Sequence, residues 1–154
     1  GQKAHMAVFD HSQGKPKVSM GGTFSANPLS MAAGLVSLSH YSRDQVERLN
    51  SLGERLRTGL RAGFAANEVK ATVTGAGSMF RLHLGEEAVT GYRSAYATPE
   101  KAKQISAIQL ATIEEGVLLT PNCSGALSTP MTTAEIDQIV AAVVSAATRV
   151  TKAN

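Results

Sequence analysis

The sequence contains no tryptophan, one cysteine and few aromatic residues, with four Phe and three Tyr among 154 residues. A lone Cys123 excludes an internal disulfide and any metal site built on several cysteines. Its plain reading is a small, partly buried side chain, because no local histidine accompanies it as a base. Charge is sparse as well: 18% of residues are charged and the formal net charge is +3. Lys and Arg are scattered, without interleaved aromatics, so a nucleic-acid groove is not expected. No apolar run reaches the length of a membrane span. Lys3, His5 and Asp10 break up the apolar residues of the first segment, which therefore lacks a signal-peptide pattern. A soluble cytoplasmic protein with neither membrane nor nucleic-acid partner is the expectation. His5, His11, His40 and His83 share no ligand spacing, so no metal site is expected.

What the chain has is small apolar residues. Hydrophobic residues make up 43%, with much Ala, Val and Leu and 14 Gly. That texture excludes a disordered chain. It suits close packing of helices on a sheet, in an α/β or α+β domain, better than a β-sandwich.

Met6-Ala7-Val8-Phe9 reads as a strand or short helix running into a loop from Asp10 to Pro16. Asn27-Pro28 is a helix start: Asn can cap free N–H groups and Pro fits the first turn. The helix continues from Leu29 to Leu38, with Met31, Leu35 and Leu38 at helical spacing. Ser42-Arg43-Asp44-Gln45 has a capping-box pattern and opens a second helix to about Asn67. Its apolar stripe is Val46, Leu49, Leu52, Leu56, Leu60 and Phe64. Val69 to Leu84 reads as strand, turn at Gly75 and Gly77, and strand, with Phe80, Leu82 and Leu84 alternating with Met79, Arg81 and His83. Thr98-Pro99-Glu100 starts a helix containing Ile105, Ile108, Leu110 and Ile113, stopped by Gly116. Val117-Leu118-Leu119 is expected as a short buried strand, followed by a loop from Pro121 to Pro130. Thr132 and Glu135 form a capping box for a final helix with Ile136, Ile139, Val140, Val143 and Val144 on its core face. Residues from about 40 onward make a compact α+β unit. Residues 1–40 carry too little apolar material to fold alone. The chain starts Gly1-Gln2 rather than with Met, which suggests a piece of something longer.

A glycine pair before Thr23 is where physics points to a ligand. Glycines let backbone N–H groups approach an anion, a Thr hydroxyl adds a donor, and the following helix N-terminus adds positive potential. A loop followed by a capped helix explains the same residues without any ligand. The longer string Gly21 to Gly34, GGTFSANPLSMAAG, resembles a segment of class III pyridoxal-phosphate-dependent aminotransferases, most closely their glutamate-1-semialdehyde 2,1-aminomutase-like branch. There a Gly-Thr-(Phe/Leu/Tyr)-Ser-Gly-Asn-Pro segment leads into an Ala-rich helix between the large and small domains. Val73-Thr74-Gly75-Ala76-Gly77-Ser78-Met79-Phe80, Glu115-Gly116-Val117-Leu118-Leu119 with Pro121, and Ala126 to Thr132 are similar to later landmarks of the family, in family order.

The resemblance implies the C-terminal part of a fold-type I pyridoxal-phosphate-dependent transferase, α/β in class, with an α+β small domain. It divides the chain into 1–40, the end of the cofactor-binding large domain with its connecting helix, and 41–154, the small domain. It implies pyridoxal 5'-phosphate as cofactor and a homodimer with active sites at the interface. The substrates implied are a small-molecule amino donor and a carbonyl acceptor, in aminotransferase (transferase) or aminomutase (isomerase) chemistry. Thr23 matches the family Thr that hydrogen-bonds the cofactor phosphate in the partner's site, and Gly22 allows its close approach. Ala26 departs from the usual Gly, which implies a backbone conformation that Ala tolerates.

Such an enzyme also needs a lysine to carry the cofactor and a carboxylate at the pyridinium nitrogen. In the family both lie upstream of this segment. Lys3, Lys15, Lys17, Lys70, Lys101, Lys103 and Lys152 sit in no family-like setting and read as solvated charges. No catalytic residue is therefore assigned, and the chain alone is expected to be inactive. Arg81 could meet a substrate carboxylate, although a solvated strand residue is the plainer reading. Ser78-Met79-Phe80 and Asn122-Cys123-Ser124 lie in segments that approach the site in relatives. The alternative to an enzyme part is a non-catalytic α+β module for dimerisation or binding, derived from an aminotransferase.

Overall fold

A computed structural model describes residues 1–12, 14–19, 21–85 and 87–152. The chain divides into two compact units, Gly1–Ser42 and Arg43–Asn154.

The first unit begins with a short helix, α1 (Lys3–Met6), continued by a 3-10 turn over Ala7–Phe9. The helical alternative for this segment is the one realised. Helix α2 (Pro28–His40) starts where Asn27-Pro28 placed it, and Asn27 Oδ1 accepts from the Leu29 N–H at 2.9 Å. None of its residues is buried. Leu29, Met31, Leu35, Val36 and Leu38 all stand exposed, so the apolar spacing of this helix is not used within the described residues.

The second unit is an α+β sandwich of three long helices and a small sheet. Helix α3 (Arg43–Ala66) buries Leu49, Leu52, Leu56, Leu60 and Phe64 of the expected stripe, while Val46 is half-buried. A capping-type start, a 3.6-residue apolar period and polar residues on the remaining faces are sufficient for this helix. Strands β1 (Ala71–Thr74) and β2 (Met79–Leu84) form an antiparallel hairpin with Val73 opposite Leu82. The turn depends on glycine: Gly75 has φ 155° and Gly77 φ 55°, where a Cβ is disfavoured. A four-residue helix α4 (Tyr92–Ala95) precedes α5 (Pro99–Glu114). Thr98 Oγ1 caps α5 by accepting from the Lys101 N–H at 3.3 Å, and Gly116 at φ 80° ends it.

Helix α6 (Thr133–Lys152) closes the unit. Glu135 accepts from both the N–H and the hydroxyl of Thr132, at 2.7 and 2.6 Å, as a capping pair does. Its buried face is Ile136, Ile139, Ala142, Val143, Ala146 and Ala147, while Val140 and Val144 lie partly buried against the core. Those two valines face α3 at Gly59 and Gly63. A Cβ there would lie 3.0 Å from a Val140 methyl and 2.4 Å from a Val144 methyl. The glycines set the helices close together, which is what a core poor in aromatics requires.

Two local expectations fail. Val117–Leu119 is not a strand. Val117 and Leu119 are buried and Leu118 is 82% exposed, but the Leu119 carbonyl accepts from Gln109 Nε2 rather than from a neighbouring strand. The third strand is β3 (Ser124–Ala126), inside the segment expected as loop, and it pairs antiparallel with β2, placing Arg81 opposite Ser124. The sheet order is β1-β2-β3. Of the apolar residues of α5, Ile105 and Ile108 are buried and Leu110 and Ile113 are exposed.

Candidate functional site

The segment Gly21–Pro28 forms a turn that delivers the chain to α2. The Ser25 N–H donates to the Gly22 carbonyl at 2.9 Å, closing a tight loop around Thr23 and Phe24. A Cβ on Gly22 would come 3.0 Å from Ser25 Oγ, the end of an exposed side chain that can turn away. Thr23 is exposed, and neither its hydroxyl nor its N–H has a hydrogen-bond partner among the described residues. No residue from Gly21 to Pro28 carries a negative charge. A free hydroxyl, a free backbone donor and the N-terminal end of a 13-residue helix are together a donor set that suits an anion. Asn27 already satisfies the Leu29 N–H, so the donors left for a ligand belong to the loop and to Thr23.

Ala26 corrects the expectation drawn from its residue type. Its φ is 54°, in the left-handed region that glycine fills readily and alanine occupies at a cost of roughly 1 kcal/mol. The position keeps the conformation a glycine would favour, with an alanine in it.

The remaining candidates are dispersed. Lys3, Lys15, Lys17, Lys70, Lys103 and Lys152 are exposed, and Lys101 is half-buried. Cys123 is fully buried, and its thiol donates to the Ile105 carbonyl at 3.3 Å. Burial pushes that thiol up to about 11, which suppresses the nucleophilic thiolate. His83 bonds Thr74 Oγ1 at 2.9 Å across the hairpin, and its pKa is lowered first by burial and then by the charge of Arg81. Among the described residues no group of three His, Cys, Asp or Glu could hold a metal ion, and no helix is long and apolar enough to cross a membrane. Sequence reasoning did not single out Arg93, Tyr92 or Tyr96. They line a cavity together with Arg81, Lys101 and Asn122.

No family model matches the chain. Over 147 residues, 94% of its length, the chain is 33% identical to glutamate-1-semialdehyde 2,1-aminomutase 1 of Staphylococcus aureus strain JH9, of which it covers 34%. Its structure superposes on an omega-transaminase from Sphaerobacter thermophilus with a TM-score of 0.83 and 33% identity, over 98% of this chain and 34% of the other. A transaminase with PLP bound gives a TM-score of 0.74 at 33% identity, over 97% and 34% of the two chains. The fold is thus that of part of a pyridoxal-phosphate-dependent transaminase of fold-type I, consistent with its C-terminal part. The chain is a homologue of the glutamate-1-semialdehyde 2,1-aminomutases and class III transaminases, and it spans about a third of their length.

Proposed function

We propose that this chain is the part of a pyridoxal-phosphate-dependent aminotransferase or aminomutase in which Thr23 anchors the cofactor phosphate. Residues 1–40 then complete the cofactor-binding large domain, and 41–154 are the small domain. The carrying observation is Thr23 itself: an unpartnered hydroxyl and N–H in an uncharged glycine loop, ahead of a capped helix. The likeness to aminomutases and transaminases over nearly the whole chain supports it.

Bound pyridoxal 5'-phosphate would supply an electron sink for breaking a bond at an amino-bearing carbon. The residues of this chain hold rather than react. The Thr23 hydroxyl donates to a phosphate oxygen, Gly22 keeps the approach open, and α2 contributes the positive end of its dipole. Fixing the phosphate fixes the cofactor ring relative to the reacting groups, which lowers the entropy cost of reaction. The lysine that carries the cofactor and the carboxylate facing its ring nitrogen are then supplied outside this chain. The site is completed across a homodimer, with an amino donor and a carbonyl acceptor as substrates. The exposed apolar residues of α2 support burial of that helix against a further body.

The test is to purify the protein from its native source and measure intact mass and cofactor absorbance together. The enzyme reading expects a lysine-bearing polypeptide, longer than 16.1 kDa or in complex with this chain, that carries pyridoxal phosphate. A colourless 16.1 kDa species with no companion would favour the non-catalytic dimerisation or binding module instead.

A further inference from the structure

The connections of the second unit differ in how they are tied down. Arg61 Nη2 donates to the Val73 carbonyl at 3.3 Å beyond the turn that follows α3, and Arg57 holds the Gly77 carbonyl in the hairpin. Gln109 Nε2 reaches the Leu119 carbonyl after α5, and Arg48 donates to the carbonyls of Thr129 and Met131 ahead of α6. The stretch from Glu87 to Ala97, between β2 and α5, has no such tie. Each hydrogen bond it makes with a described residue stays inside it. None of its residues is buried. Tyr92 and Tyr96 stand 81% and 72% exposed, and their rings lie 6.2 Å apart, against each other rather than in the core.

The stretch nevertheless has a shape of its own. Ser94 Oγ accepts from the N–H groups of Thr90 and Gly91 at 2.9 and 3.0 Å and donates to the Gly91 carbonyl at 3.0 Å. The Ala95 N–H returns to that same carbonyl at 3.0 Å. Both flanks are fixed. Gly85 donates its N–H to the Lys70 carbonyl at 2.8 Å, with φ 119°, a conformation that favours glycine. Thr98 caps α5. The stretch lines one side of a cavity of about 660 Å³, and β2 from Arg81 to Leu84 lines another, with Ala102 and Ile105 of α5. A braced segment with firm flanks, no bond to the body and no buried residue opens at low free energy while the core stays folded.

The geometry points to a lid: Glu87–Ala97 moves as a braced unit between Gly85 and Thr98 and controls access to the β2 side of the cavity. Val89 and the two tyrosines left out of the core are the apolar surface that it carries over that side on closing. The lid uses only residues of the second unit and does not depend on the cofactor reading.

The experiment is amide hydrogen exchange of the full 154-residue chain, followed residue by residue by NMR. Thr90, Gly91, Ala95 and Tyr96 should share one protection factor, at least about tenfold above that of an unfolded chain and at least about a hundredfold below those of Leu82 and Ile108. Protection equal to that of Leu82, no protection, or four unequal factors would overturn the lid. Access is read with His83→Cys, which places a thiol on the β2 side of the cavity. Arg93 is the only Lys or Arg between Arg81 and Lys101, and the first tryptic cut within residues 50–140 should fall after it. The new thiol should react with an aromatic disulfide reagent at least about tenfold faster after that cut than before it. Equal rates, or a first cut elsewhere in that range, would overturn the gating. Cys123 of the cut, unsubstituted chain controls for damage to the core. Should His83→Cys fail to fold, the exchange measurement decides alone.

Discussion

Gly53, in the middle of α3, and Gly77, in the turn between β1 and β2, touch backbone to backbone: a Cβ on Gly53 would lie 2.0 Å from the Gly77 carbonyl oxygen. That same carbonyl accepts from Arg57 Nη1 at 2.8 Å, one turn further along the helix. Arg57 is 5% exposed and also donates to the Met79 carbonyl and to Glu54. The hairpin that carries Arg81 and His83 is thus pinned to α3 by one glycine contact and one buried guanidinium with three hydrogen bonds.

Gly53→Ala should therefore destabilise the fold even though alanine is the better helix former. The propensity gain is about 1 kcal/mol, but the clash is with backbone and cannot be relieved by a rotamer change. A net loss of about 2 kcal/mol or more is expected, seen as a Tm lowered by roughly 5–10 °C. Gly34→Ala in α2, where no atom lies within 4 Å of the added Cβ, should be neutral or stabilising in the same assay. Equal effects at the two positions would contradict the packing described.

Cys123 should be inert in the folded chain. With its thiol pushed up to about 11, the thiolate at pH 8 is a small fraction of that of a free cysteine. Reaction with an aromatic disulfide reagent should run at least about a hundredfold slower than with free cysteine. Denaturant should restore the full rate, and rapid labelling of the native protein would contradict the burial.

Stability should fall on acidification in two stages. Burial and the charge of Arg81 hold His83 below its ordinary 6.5, so the folded state binds its proton less well than the unfolded one. That contribution is complete above 6.5 and is lost as pH falls through the lower folded value. Hydrogen bonds from Arg57, Thr132 and Arg55 hold Glu54, Glu135 and Asp137 below their ordinary 4.5, 4.5 and 3.8. Their contributions, small because all three are exposed, are lost as pH falls below those values. Thermal melts from pH 8 to 3 should show Tm level above about 7 and declining below it, steepening under about 4.5. A Tm that rises on acidification would contradict both assignments.

Ala26→Gly should relieve the left-handed backbone ahead of α2. A gain of up to about 1 kcal/mol is expected locally, read as slower hydrogen exchange at amides of the first turns of α2. Faster exchange would show that Ala26 does not hold φ near 54°.

Much of the second unit was legible because its signals are local and periodic. The α3 and α6 stripes, the Thr98 and Thr132 caps, and the glycines at 75, 77 and 116 all act within a few residues of themselves. β3 was not legible, because Ser124-Gly125-Ala126 carries no apolar alternation and exists through its pairing with β2. Val117–Leu119 misled for the converse reason: two buried residues in an extended segment do not make a strand without a partner. At the Gly21–Pro28 site the motif was readable, but the φ of Ala26 was not, since residue type argued against it. The cavity was invisible, because Arg81, Arg93 and Lys101 are brought together only by tertiary structure. Its one sequence trace was Arg81 on the strand face away from Phe80 and Leu82.

The proposed role of Thr23 as phosphate anchor is tested most directly by cofactor retention. If, as proposed, this chain is part of a lysine-bearing enzyme with Thr23 on the cofactor phosphate, Thr23→Ala would remove one hydrogen bond to a charged group, of about 1.5–3 kcal/mol. Cofactor absorbance followed through dialysis should then fall roughly ten- to a hundredfold faster than in the unsubstituted protein, with the proton-transfer rate of the cofactor-saturated enzyme changed much less. Retention that is unchanged in Thr23→Ala would contradict the assignment.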